Sequence, residues 1–415
     1  VTISALKGVG SAAGAGSDAG IETEVASLDL SNVGAGVSGN VDIDEKDGVN
    51  VNRIQQAAAT GTVNVDAGGD ITVVTGQSGV SAVGGQVELD ADGIDSDIAV
   101  NATVLTTRGP INLLADNDVS FGAAGLATST DGNIKVEADV DGAVDSGGTD
   151  QGSLFMADGA GIVTTNGTLD LDANEDITLG SVEATSSTSG TAITITSDVG
   201  GVVDGGDTHV DIVADSGTAV VTASTGIGAA AGSGADNAIE TTVGTLDASV
   251  TGAGAIDIDE TNAIVLSDVD TANGPITVDA AGQLTATDVQ STTDAEANDI
   301  TLTTSSDDIL VALVSAGTTS GDVLLRSAAG IEEVGVADDG ADIVAHELEM
   351  IAATGIGDDG QLEINATNLA ATTVSGDITL QDTASGLTIS DVNVDGAGGA
   401  TSGVSITGGA VGDDI

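Results

Sequence analysis

The residues of this chain best suited to chemistry are carboxylates. Asp90, Asp92, Asp95 and Asp97 stand together in the phrase DADGIDSD, four acids on a stretch that carries Gly93. A hard cation such as calcium takes oxygen ligands, and closely spaced Asp residues on a glycine-bearing turn are the donors it uses. These four are the candidate metal ligands. The distal Glu that would close such a loop with two oxygens is missing at the required spacing, so a solvated turn competes with a specific site. Looser groups recur at Asp139/Asp141/Asp145, Asp170/Asp172/Asp176 and Asp257/Asp259/Glu260. Calcium, or another cation, is the one cofactor that the residues suggest, and no cofactor is required.

Other chemistries lack their parts. There is no Cys, which excludes disulfides and thiolate metal sites. His209 and His346 stand singly, each beside an aliphatic run, and read as structural or exposed residues. The six bases, Lys7, Lys46, Arg53, Arg108, Lys135 and Arg326, are scattered. With no Trp or Tyr to stack on sugar rings, a carboxylate-based attack on polysaccharide is the least favoured function considered. The glycine-rich run GSAAGAGSDAG starting at Gly10 precedes no helix pattern and no Gly-Lys-(Ser/Thr), so it is a loop and not a phosphate cradle. No catalytic residue is assigned, and the chain is read as a protein that is not an enzyme.

Short strands must hold these carboxylates. A phrase of two aliphatic residues bracketing another residue, usually opened by Gly, begins at Val41, Val63, Val87, Ile111 and Ile134, and again at Ile256, Ile276, Ile300 and Val323. Further aliphatic positions follow each phrase, as in Ile256/Ile258, then Ile264/Leu266, then Val269. Alternation with period two marks strands with one buried face, and a helix would space the same residues at three and four. Three such segments in each repeat predict a three-sided coil. The fold expected is all-β, a right-handed parallel β-helix (β-solenoid) with coils of about 20–25 residues, in which each strand pairs with its equivalent one coil on. A β-sandwich array is the competing fold, but its modules run to about 100 residues with hairpin-linked strands.

Composition agrees with a thin aliphatic core. Hydrophobic residues make up 40% of the chain, yet Phe121 and Phe155 are the only aromatics. Sixty-six acidic residues against six basic ones give a formal net charge of −60 spread along the whole chain. Such a surface repels nucleic acid and anionic membranes, so neither is an expected partner, and no run of apolar residues is long enough for membrane insertion. Self-repulsion of this size opposes a compact state unless salt or divalent ions screen it, which points to a saline or calcium-containing exterior.

A longer repeat overlies the short one. The segment from Val9, VGSAAGAGSDAGIETEVASL, matches that from Ile227, IGAAAGSGADNAIETTVGTL, and a third copy begins near Ile356. Residues 1–415 are therefore read as one continuous β-solenoid segment of a longer chain, with cassettes starting near 9, 227 and 356. The phrases GTVNVDAGGDITVV at Gly61, GTLDLDANEDITLGSV at Gly167, GPITVDAAGQLTATDV at Gly274 and GDITLQDTASGLTISDV at Gly376 give the chain a resemblance. It resembles the filamentous-haemagglutinin-like adhesins and related giant secreted bacterial repeat proteins, whose shafts are β-helical. The resemblance implies an extracellular or cell-surface shaft or filament with an adhesive role. The expected partners are further copies of itself, end to end or as a fibre, and a surface or polysaccharide. A calcium-dependent adhesin is the alternative.

Overall fold

The computed structural model describes the chain except for residues 11–19, 35–38, 141, 143–150, 187–189, 207–208, 229–236, 336–339, 359, 395, 397–398 and 409–412. Asp141 and Asp145 of one looser acidic group, most of the glycine-rich run after Gly10, and Val411-Gly412 lie outside the described residues. The described residues form strands and turns, with no helix. They divide into two compact units, Val1–Gly217 and Thr218–Ile415.

In the first unit the coils from Val63 onward contribute three short strands, and in the coil before them Val49–Gln56 runs through two of the three places. Val63–Ala67, Ile71–Val73 and Gly79–Ala82 make one coil, and Val87–Ala91, Ile98–Val100 and Thr103–Thr106 make the next. Every strand pairs in parallel with its equivalent a coil later, so one column reads Val63, Val87, Ile111, Ile134, Leu169, Ile193. The other two columns run Ile71, Ile98, Val119, Leu154, Ile177, Val202 and Val80, Val104, Ala127, Ile162, Val182, Ile212. Period-two alternation turns these residues inward, and all are buried. Ala67, Ala91, Ala115, Ala138 and Ala173 stack as a buried column of methyl groups. Phe121 is fully buried between Val100 and Met156, whereas Phe155 is exposed.

The glycine before the first strand of a coil is set by close stacking and not by a special backbone angle. Gly109 and Gly132 do not have positive φ. Instead the backbone of one coil lies directly on the next there, and a Cβ on Gly109 would strike the carbonyl oxygen of Gly85, as one on Gly132 would strike that of Gly109. A buried hydroxyl three residues earlier completes each corner. Thr106, Ser129 and Thr164 accept from the N–H of Gly109, Gly132 and Gly167 at 3.2, 2.8 and 3.1 Å. Each also donates to the glycine carbonyl one coil below, at 2.9, 3.2 and 2.8 Å.

The second unit follows the same plan. Ile276–Ala280, Leu284–Ala286 and Val289–Ser291 pair in parallel with Ile300–Thr304, Ile309–Val311 and Val314–Ser315. Later strands fuse around a corner. Ile343–Ala352 pairs through its first residues with Val314-Ser315 and through its last with Val323–Arg326, and Leu362–Thr373 pairs along it. One antiparallel pair, Asp391–Val392 with Thr401–Ser402, departs from the expected parallel pattern.

The three cassette openings share a local structure. Val9, Ile227 and Ile356 each form an isolated parallel bridge, to Val41, Ile256 and Ile378. Glycines flank all three, and those that follow, Gly10, Gly228 and Gly357, have φ of 86°, 87° and 64°, a region that L side chains avoid.

Candidate functional site

Parallel in-register stacking dictates what the outer faces carry. Residues at the same position of successive coils lie one strand spacing apart, about 4.8 Å, so like residues become neighbours across 20 or more positions of sequence. On the face formed by Val41–Glu45, Val63–Ala67 and Val87–Ala91, this places Asp44, Asp66 and Asp90 in one outward column. The column continues through Leu114, Glu137 and Asp172. Beside it run Asp42, Asn64, Glu88, Asn112, Lys135 and Asp170. Amides relieve this second column, and its one base reaches Glu137 of the first. Asn64 Nδ2 donates to Asp42 Oδ1 at 3.3 Å, Asn112 Nδ2 to Glu88 Oε2 at 2.9 Å, and Lys135 Nζ lies 2.5 Å from Glu137 Oε2.

The carboxylate column has less relief. Burial, then the charges of Asp66, Asp92 and Glu88, push the Asp90 carboxyl up to about 6. Burial, then Asp92, Asp44, Glu88 and Asp42, raise Asp66 as well. The structure thus brings Asp90 and Asp92, two of the four candidate ligands, into one electrostatic patch with Asp66.

The other two have different surroundings. Asp95 is exposed, has φ of 59°, and its N–H donates to Asp116 Oδ2 at 3.0 Å. Asp97 is half-buried, and its Oδ1 accepts from Asn117 Nδ2 at 2.7 Å and from the Asp118 N–H at 3.1 Å, holding the turn of the following coil. Burial raises its pKa and those two bonds lower it, with a net rise. The four are not among the acidic groups whose carboxylate oxygens converge within 4.8 Å.

Of the looser groups, Asp170 and Asp172 face outward on Leu169–Ala173, while Asp176 Oδ1 accepts from the Gly201 N–H at 2.8 Å. Glu260 turns inward and is buried. Its carboxylate accepts from Thr241 Oγ1 at 2.8 Å and from the N–H groups of Val243 and Asn262 at 3.1 and 3.0 Å. Glu45, at the matching place in the first cassette, accepts from Thr23 Oγ1 and the Val25 N–H in the same way. Both are clasps between coils.

Two arrangements escaped the sequence reading. The Asp294 carboxylate gathers the N–H groups of Thr318, Thr319, Ser320 and Gly321 at 3.1, 2.9, 2.7 and 3.0 Å. Burial acts to raise its pKa, but the bonds from Gly321, Thr319 and Ser320 prevail and bring it down to about 2. In the same unit, Glu333, Asp342 and Glu363 each offer a carboxylate oxygen, all within 4.8 Å of one another. Nothing local in the sequence marks either, because the partners lie on different coils.

Bases meet acids across coils. Arg53 Nη2 lies 2.7 Å from Asp29 Oδ1, Lys46 Nζ 2.9 Å from Glu24 Oε2, and His346 Nδ1 3.4 Å from Asp322 Oδ1. Open surface depressions are acidic too, one lined by Glu22, Glu24 and Asp44 with Lys46, another by Asp259, Glu260 and Asp279. Comparison of the chain with protein-family models, curated proteins and solved structures gives no match. The architecture itself is that of β-helical repeat proteins.

Proposed function

We propose that this chain is a stretch of an extracellular, cell-surface structural protein, of the filamentous-haemagglutinin-like kind, whose solenoid coils serve as shaft or filament and carry an adhesive role without catalysis. The observation that supports this reading best is the parallel stacking that runs through each unit, in register over most of its strands, where the interior is aliphatic and the outward columns are carboxylates, amides and hydroxyls. Such a repeat adds surface in proportion to its length and needs no central pocket. End-to-end association with further copies belongs to the same reading, since a parallel coil edge presents the ladder that an identical coil would continue. Antibody labelling of intact source cells tests it. Labelling without permeabilisation is expected, and a signal seen only after lysis would overturn the proposal.

A calcium-dependent form of adhesion is the second reading, favoured by the stacked carboxylates Asp44, Asp66 and Asp90. A divalent ion bridging that column to an acidic polysaccharide would relieve both partners. Binding of the chain to an immobilised acidic polysaccharide, measured in calcium and in chelator at constant ionic strength, separates the two readings. Equal binding in both removes the calcium-dependent one.

A further inference from the structure

We infer that Glu333, Asp342 and Glu363 form a specific calcium site that clasps successive coils of the second unit, a site independent of the outward carboxylate columns and of the proposed surface role. Glu333 closes the strand Gly330–Glu333, Asp342 immediately precedes Ile343–Ala352, and Glu363 is the second residue of Leu362–Thr373. The three acids therefore come from separate strands, and backbone pairing fixes two of them. The Asp342 N–H donates to the Glu363 carbonyl at 2.8 Å, and the Glu363 N–H donates back to Asp342 Oδ2 at 2.8 Å.

Three features indicate a ligand. First, the oxygens all lie within 4.8 Å of one another. Oxygens bound to one calcium ion at about 2.3–2.6 Å can be no farther apart than about 4.6–5.2 Å, so a single ion can touch all three. Second, Asp342 is 4% and Glu363 2% exposed, a depth at which a carboxylate is costly unless compensated. Third, Glu363 Oε2 is inaccessible to solvent and accepts no hydrogen bond, although the residue's own N–H and carbonyl are both bonded to Asp342. A carboxylate oxygen with no donor, beside two further carboxylates, has a cation as its natural partner. The donors are all oxygen, which selects calcium over softer metals.

The sequence supports a built feature. The order of an acid, then Asp-Ile-Val, then an aliphatic residue and Glu occurs as Glu333, Asp342-Ile343-Val344 and Leu362-Glu363, and earlier in the chain as Asp204, Asp211-Ile212-Val213 and Ile239-Glu240. In this region the cassette conserves the acids while the residues between them change.

The test is calcium titration of the full chain by calorimetry in 1 M NaCl, where the screening length is about 3 Å and loosely condensed ions are displaced. Saturable binding is expected in wild type, weakened roughly 10–100-fold or more in Glu363→Gln and in Asp342→Asn, and unchanged in Asp158→Asn on an exposed turn of the first unit. Melting provides a second reading. Calcium is expected to raise the wild-type midpoint above that in chelator, and Glu363→Gln to lose that increment. Should Glu363→Gln not fold, Glu333→Gln at the half-buried position reads the same loss. Absence of saturable binding in wild type, or binding and melting increments that survive all three substitutions, would overturn the proposal.

Discussion

At the scale of single residues, acids raised and acids lowered in pKa mark opposite designs. Asp90 sits in a column of like charge, where burial first and neighbouring carboxylates next push it up to about 6 from 3.8. Asp299 rises to about 6 through burial, with the Asp322 N–H opposing. A raised carboxyl holds its proton more tightly in the folded state. Its stabilising contribution is fully present below the unfolded value and is lost as pH rises through about 6. Asp294, at about 2, contributes in the other sense, and that contribution fades only as pH falls toward 2. Thermal midpoints should therefore rise on acidification from neutral pH to about 4, the reverse of ordinary acid weakening. Asp90→Asn should melt above wild type at pH 7, with the gap closing by pH 4. A scan of midpoint against pH for both proteins checks each point, and a wild-type midpoint that falls steadily over this range would refute the account of the column.

At the scale of elements, the coil corner and the aliphatic column carry the stacking. Thr164 is fully buried, and its hydroxyl satisfies both the Gly167 N–H and the Gly132 carbonyl. Thr164→Val keeps the shape and orphans both groups, with an expected loss of about 1–3 kcal/mol in denaturant melts. Leu113→Ala, in the column between Leu89 and Val136, should lose about 2–5 kcal/mol, since packed coils above and below limit collapse into the void. Gly132→Ala places a methyl group on the Gly109 carbonyl and should destabilise through backbone displacement, which a lower urea midpoint would register. The strand phrases were legible in the sequence because their period of two and their coil spacing are both one-dimensional patterns. The role of the corner glycines was not, since it depends on the backbone one coil away. Likewise, the step from Ile134 to Leu169 in one column was masked by an insertion that lengthens that coil.

At the scale of the whole molecule, a net charge of −60 is the dominant long-range term. Self-repulsion is stronger within compact units than in an expanded chain, so screening favours the folded state. Added NaCl should raise the melting midpoint steeply from low ionic strength and then level off, as followed by circular dichroism. A midpoint insensitive to salt would show that the acids are neutralised internally.

The sequence by itself determined the architecture, because inward aliphatic residues, turn residues and coil period are recorded along the chain in the order in which they stack. It also determined the acidity of the surface, since sixty-six acids against six bases leave the outward positions little else to carry. Only the tertiary structure decided which acids meet. Asp90 faces Asp66 and Asp92 while Asp97 braces the next turn, and Glu333, Asp342 and Glu363 converge from three strands. The physical reason is that a solenoid makes neighbours of residues a full coil apart, and small differences in coil length shift which positions come into register. Spacing along the chain therefore fixes the wall, and stacking between coils fixes the sites.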